Sequence, residues 1–163
     1  MANFQAFRGV VIMIDDFLID EKGENVGCYK LITLDNGYGA VVNFVVSPDT
    51  YFVGHVTLYI GDRVTGFYDG NAPVPLIFPP QFRAIVMARD TRYENVKVDF
   101  FNDELISSDN SLRLNIGPNT KIVLENNQLF NQNPANRNLI VVYGATTKSI
   151  PAQTTPSKII VMC

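Results

Sequence analysis

The stretch that most constrains the fold runs from Gly61 to Met87, GDRVTGFYDGNAPVPLIFPPQFRAIVM. Pro73, Pro75, Pro79 and Pro80 crowd its centre. Each fixes its own φ, removes a backbone donor and pushes the preceding residue toward an extended conformation. The segment can therefore be neither helix nor interior strand. Its flanks read differently. Arg63 to Gly70 (RVTGFYDG) carries valine, threonine and aromatic residues that favour a pleated, half-buried environment. Alternation puts Val64, Gly66 and Tyr68 on one side, with Arg63, Thr65, Phe67 and Asp69 on the other. Phe82 to Ala88 reads as the returning strand, and Asp69-Gly70-Asn71-Ala72-Pro73 as a turn. The loop between them is itself apolar, with Val74, Leu76, Ile77, Phe78 and Phe82. Such a loop is expected to lie on something: its own barrel mouth, a neighbouring module or a partner.

The remaining chain yields mostly strands. Arg8 to Phe17 is β-rich, with Val10, Ile12 and Ile14 predicted on one face. Gly27 to Leu34 sets Cys28, Lys30, Ile32 and Leu34 against Tyr29, Leu31 and Thr33. Asp35-Asn36-Gly37 signals a hairpin into Gly39 to Ser47. Thr50 to Val53 is a short β-like segment after the Ser47-Pro48-Asp49 turn. Beyond Asp90 the pattern restarts. Glu94 to Phe101 places Val96, Val98 and Phe100 inside, with Lys97 and Asp99 outside. Ser111 to Gly117 alternates Leu112, Leu114 and Ile116 against Arg113 and Asn115. Thr120 to Leu124, Asn138 to Gly144 and Lys158 to Met162 complete the strands. Asn126 to Asn138 is amide-rich and reads as loop, with room for one short helical turn. No long window shows a 3.6-residue period, so helix is expected to be scarce.

Two blocks line up without gaps. Phe44 to Val53 sits over Leu114 to Val123, sharing the frame apolar-x-apolar-small-Pro-Asx-Thr-x-apolar-Val. Tyr68 to Met87 is placed over Tyr143 to Met162, and Val10 to Ile14 over Val96 to Phe100. The pattern predicts a duplication. The alternative is a single β-sandwich whose strands are alike in composition. The expected architecture is all-β: two tandem OB-like five-stranded Greek-key barrels packed together, over residues 1–90 and 91–163. The proline-rich stretch then joins strands four and five, one of the loops beside which such barrels place ligands. The helix usual between strands three and four is missing or shortened.

The blocks NFVVSPDTYFV, GDRVTGFYDGNAPVPLIFPPQFRAIVM, SSDNSLRLNI and SIPAQTTPSKIIV resemble a family of Gram-positive bacterial proteins. Its members are often secreted, and some carry copper-amine-oxidase-type N-terminal (stalk) domains elsewhere in the chain. The likeness runs from about Val41 to Val161. It implies kinship and brings no substrate or catalytic residue with it. The start of this chain, MANFQAFRG, has neither the basic region nor the apolar core of a signal peptide, which leaves its compartment open.

Composition bears on function mainly by exclusion. Charged residues make up 18% of the chain and the net charge is −3, so there is no basic footprint for nucleic acid. No apolar run approaches the roughly 20 residues of a membrane-spanning helix. With His55 the only histidine and no Gly-x-Ser-x-Gly elbow, a catalytic triad is not expected. Cys28 reads as a small buried hydrophobe. A Cys28–His55 pair is the remaining nucleophile–base combination. Two distant cysteines, Cys28 and Cys163, suggest neither a disulfide framework nor a four-ligand zinc site. Gly61, Gly66 and Gly70 precede no helix that could hold phosphate. Asp15, Asp16, Asp20, Glu21 and Glu24 lack the spacing of a calcium loop and read as a solvated turn.

No cofactor, metal or catalytic residue is therefore expected. The residues read as ligand or partner contacts are Tyr51, Phe67, Leu76, Phe78, Gln81 and Arg83. Aromatic rings can stack bases or sugars, or simply fill a core. The leading expectation is a non-catalytic binding or interaction module that meets a protein partner or a second copy of itself near residues 71–81. One alternative is binding of single-stranded nucleic acid or oligosaccharide on an OB-like face, an argument from fold analogy. The other is an enzyme of unassigned type.

Overall fold

The computed structural model describes residues 2–19 and 23–163. Among these the chain is all-β, and the single helical element is a 3-10 turn at Val53–His55. The residues form two compact units, Met1–Asp90 and Thr91–Cys163.

The first unit contains β1 (Phe4–Asp16), β2 (Lys30–Asp35), β3 (Val41–Val46), β4 (Tyr51–Phe52), β5 (Arg63–Asp69), β6 (Gln81–Arg83) and β7 (Val86–Arg89). They make one sheet in the order β4-β7-β5-β1-β2-β3-β6. Only Ala84 and Ile85 separate β6 from β7, and both stay in the ladder. The Ala84 amide donates to the Val45 carbonyl (3.0 Å) and the Ile85 amide to the Phe67 carbonyl (2.8 Å). Gln81–Arg89 is thus one bent strand. Its first half runs parallel to β3 and its second half antiparallel to β5. Since β1 pairs with both β2 and β5, and β2 with β3, the pairings form a closed circuit.

Inside that circuit lie Val11, Ile32, Leu34, Val42, Phe44, Val64 and Met87, with Tyr68 and Phe82 packed against them. Val64 and Tyr68, expected on one side of their strand, both pack in this core. The single face expected for Val10, Ile12 and Ile14 does not form. Val11 is fully buried whereas Ile12 is exposed. The cause is a register shift between Val11 and Met13: an extra residue resets the alternation, so that Val11 and then Ile14 reach the core. Cys28 also departs from expectation. It precedes β2, in the turn, and is exposed. The β2–β3 hairpin forms where Asp35-Asn36-Gly37 signalled it. The Asn36 side-chain oxygen accepts from the Tyr38 (2.8 Å) and Ala40 (3.1 Å) amides, and Gly37 and Gly39 take positive φ.

The second unit contains β8 (Asn95–Phe101), β9 (Leu112–Leu114), β10 (Lys121–Leu124), β11 (Arg137–Tyr143), β12 (Ala152–Thr154) and β13 (Lys158–Val161). They form a sheet β10-β13-β11-β8 and a pair β12-β9. Between β8 and β9 the chain makes single bridges, Phe101↔Ser107 and Ile106↔Arg113, in place of a full strand. The core holds Phe101, Leu112, Leu114, Leu139, Val141, Ile159 and Val161. Here too one face is corrected, because Asp99, expected outside, is buried. Its carboxylate accepts from the Ser108 hydroxyl (2.6 Å) and the Phe100 amide (2.8 Å). Those bonds satisfy a charge that alternation alone assigns to solvent.

The two units carry the same bonds at matching places. Thr50 Oγ1 accepts from the Ser47 amide (3.0 Å) and donates to the Ala84 carbonyl (2.8 Å). Thr120 Oγ1 accepts from the Gly117 amide (3.1 Å) and donates to the Pro156 carbonyl (2.7 Å). The threonine of the shared sequence frame therefore ties the connection leading into β4 or β10 to the residue two places before β7 (Ala84) or β13 (Pro156). The matching corrects the gapless alignment. Tyr51 pairs with Val86 and Lys121 with Lys158, so Val86 corresponds to Lys158 and not to Val161. Gly66 pairs with Phe7 and Val141 with Lys97, which places Phe7 with Lys97 and Val11 with Phe101.

Candidate functional site

The proline-rich loop of the first unit is pinned at both ends. At its start the Asp69 carboxylate accepts from the Asn3 (3.0 Å) and Asn71 (2.9 Å) amides. Those two bonds, Asn3 first, hold the carboxyl below its usual range. At its end the Pro80 carbonyl accepts from the Asn43 amide (2.9 Å). Phe82 then stacks on Tyr68, with ring centroids 3.9 Å apart and planes 10° from parallel. Burial of that pair pushes the Tyr68 phenol up. Between the anchors the side chains turn outward. Leu76 is fully exposed, Phe78 is 89% exposed, and Val74 and Ile77 are exposed as well. The Phe78–Pro79 peptide is cis.

The residues read from sequence as contacts divide accordingly. Leu76 and Phe78 are presented to solvent, Arg83 is exposed on β6, and Gln81 and Tyr51 are half-buried on β6 and β4. Phe67 is a correction: at 5% exposure it has no surface to offer a ligand. It lies on the β5 face opposite Val64 and Tyr68, where its large apolar ring favours burial.

The second unit has a counterpart inside the segment that sequence reading placed over Tyr68 to Met87, with an exposed apolar residue that the reading did not single out. Ile150 is 91% exposed, and the Ile150–Pro151 peptide is also cis. A signal was available: Phe78-Pro79-Pro80-Gln81 and Ile150-Pro151-Ala152-Gln153 share apolar-Pro-x-Gln immediately before or within β6 and β12. Beside this loop lies a groove of about 720 Å³, formed by three separated segments that contribute Asn115, Asn119, Thr146, Thr147, Gln153 and Thr155 among others.

A third cluster is structural. Asp109 accepts from Lys97 Nζ (2.8 Å), Ser107 Oγ (2.7 Å), the Ser111 amide (3.1 Å) and Ser111 Oγ (2.7 Å). Burial pushes its carboxyl up, but the bonds from Lys97, Ser107 and Ser111 outweigh this and hold it well below the usual carboxylate range. Nearby, burial raises the Tyr143 phenol; Lys97 opposes that rise and Asp109 adds to it. The Ser107 hydroxyl also accepts from the Leu112 amide (3.0 Å), so its lone pairs pin the 107–112 turn.

The other chemical candidates stand apart from these features. The exposed Cys28 thiol donates to the Glu24 carbonyl at 3.5 Å. His55 sits at the end of the 3-10 turn with φ 54°. Of the acidic cluster, Asp20 and Glu21 lie outside the described residues, and Asp16 pairs with Lys30. Among the described residues no three His, Cys, Asp or Glu side chains converge as metal ligands. No helix among them is long and apolar enough to cross a membrane. Comparison with protein-family models, with curated proteins and with solved structures found no match to this chain.

Proposed function

We propose that the chain is a non-catalytic interaction module whose contact surface is the proline-rich loop at residues 71–80. The observation that carries this reading is the full exposure of Leu76 together with the 89% exposure of Phe78 on a loop anchored at both ends. Exposed single apolar residues are ordinary on protein surfaces, whereas contiguous ones mark sites of association. A pre-fixed loop also loses less conformational freedom on binding than a slack one. The occupant is a protein, either a second copy or a different chain. An apolar loop with no cation between Asn71 and Gln81 favours that over a nucleic acid.

In this reading each unit is an OB-like barrel and the two arose by duplication. Support comes from the closed circuit of pairings in the first unit, in which β6 and β7 count as one bent strand and the two-residue β4 as an edge addition. Further support comes from the parallel β3–β6 and β9–β12 pairings and the matched Thr50 and Thr120 bonds. Kinship with the Gram-positive family belongs to the same proposal.

Site-specific photo-crosslinking tests the contact surface. A photoreactive residue replaces Phe78 in one variant and Tyr38, an exposed aromatic on the β2–β3 loop, in another. The expected result in cells that make the protein is a discrete adduct from position 78 and none from position 38. Equal labelling from both positions, or none from position 78, would overturn the proposal.

A further inference from the structure

The groove of the second unit has a neutral, largely polar lining. None of its lining side chains is ionisable, although 18% of the chain is charged. Its walls combine amides and hydroxyls with the apolar rings of Pro118 and Pro156 and threonine methyl groups. Its volume, about 720 Å³, falls within the range of small-ligand sites.

Much of the wall is held in place by internal bonds. Asn115 Nδ2 donates to Gln153 Oε1 (3.2 Å), and Thr154 Oγ1 donates to the Ala145 carbonyl (2.8 Å). The Thr147 hydroxyl meets that of Ser149 at 2.6 Å and accepts from the Gln153 amide at 2.9 Å. Asn115 Oδ1 and Gln153 Nε2 are not bonded to each other, which leaves one acceptor and one donor on this pair of amides. The amide of Asn119 and the hydroxyls of Thr146 and Thr155 add further exposed polar groups.

Three ligand classes can be weighed against this lining. Nucleic acids and other phosphates need cations or a helix N-terminus, and the groove offers neither. A peptide adding itself as a strand needs a free edge. The outer edge of β12 is already engaged, because the Thr147 amide donates to the Gln153 carbonyl at 2.9 Å. A neutral sugar chain needs paired donors and acceptors for adjacent hydroxyls and apolar surface for its C–H faces, and both are present. We propose that this groove binds a neutral oligosaccharide, with Gln153 and Asn115 gripping adjacent hydroxyls. The groove belongs to the second unit, and the proposal does not depend on the reading given for residues 71–80.

The test follows the backbone and side-chain amide resonances of the full chain by NMR during titration with neutral hexasaccharides. The probes are a β-1,4-glucan, an α-1,4-glucan and a β-1,4-linked N-acetylglucosamine chain. At least one is expected to give saturable shifts at Asn115, Gln153 and Thr155 with none at Tyr38. Gln153→Ala is expected to weaken binding about tenfold, and Asn119→Ala, at an exposed position, about threefold. The second variant guards against a fold effect of the first, and unperturbed core resonances establish that both are folded. Absence of shifts with all three sugars would overturn the proposal, as would unchanged affinity in both folded variants or groove shifts produced instead by a single-stranded oligonucleotide.

Discussion

Gly66 and Phe44 share one volume in the first unit. A Cβ placed on Gly66 would lie 2.5 Å from Phe44 Cε2 and 2.6 Å from Cζ. The phenylalanine ring is fully buried, so it has no solvent-filled space into which to withdraw. The second unit divides the same space differently, with Leu114 and Val141 at the matching positions. Gly66→Ala is therefore expected to destabilise the chain by about 1–3 kcal/mol. Chemical denaturation should then show the Phe44→Leu, Gly66→Ala double variant to be more stable than the sum of the single losses predicts. Additive losses would mean that the two residues do not compete for space.

Thr50 and Thr120 make the same pair of bonds in their respective units. Replacing either with valine keeps the branched shape but leaves an acceptor carbonyl and a donor amide without their partner. Each change is expected to cost about 1–3 kcal/mol in thermal or chemical unfolding. Two losses of similar size would support equivalent roles; a cost at one site alone would argue against them.

Asp109 gives the second unit an acid-sensitive bond cluster. A carboxyl whose folded pKa is depressed stabilises the fold above its unfolded pKa, about 4, and that stability is lost as the pH falls through the folded value. The folded value is well below the usual range, so wild-type stability should decline from about pH 4 downward. About half of the Asp109 side chain is exposed, which limits its contribution through solvent screening. Asp109→Asn is expected to cost about 1 kcal/mol at neutral pH. The gap between the two proteins should narrow in strongly acidic solution, as measured by urea unfolding across pH. A gap independent of pH would assign the effect to packing.

The exposed loop should contribute little to the fold. Leu76→Ser and Phe78→Ser are expected to change unfolding free energy by no more than about 0.5 kcal/mol, the usual range for surface positions. A larger loss would show that these side chains stabilise the isolated chain and are not reserved for a contact.

The all-β class was legible because β-branched and aromatic residues crowd β3 and β5 and because apolar residues alternate in β9. The turn at Asp35-Asn36-Gly37 and the shared Pro-Asx-Thr frame carry their own backbone signatures. The errors have local causes. A bulge at Val11 breaks the two-residue period of β1, and no pattern of apolar residues announces one. Asp99 is buried because Ser108 reaches it across a turn, a contact invisible to periodicity. The exposure of Leu76 and Phe78 was anticipated in the idea of a contact loop, whereas Phe67 was assigned to that surface because an aromatic outside the core face suggested a platform. The groove escaped notice altogether. Its residues are small and neutral, and they come from segments near positions 117, 146 and 155 that only folding brings together.

Hydroxyl-radical footprinting of Leu76 and Phe78 tests the contact surface most directly. The purified, dilute chain is compared with the same chain in extracts of the cells that produce it, with Tyr38 as the exposed reference. The account predicts strong labelling of all three residues in the dilute chain and protection of Leu76 and Phe78, but not Tyr38, in the extract. Equal labelling of Leu76 and Phe78 under both conditions would contradict it.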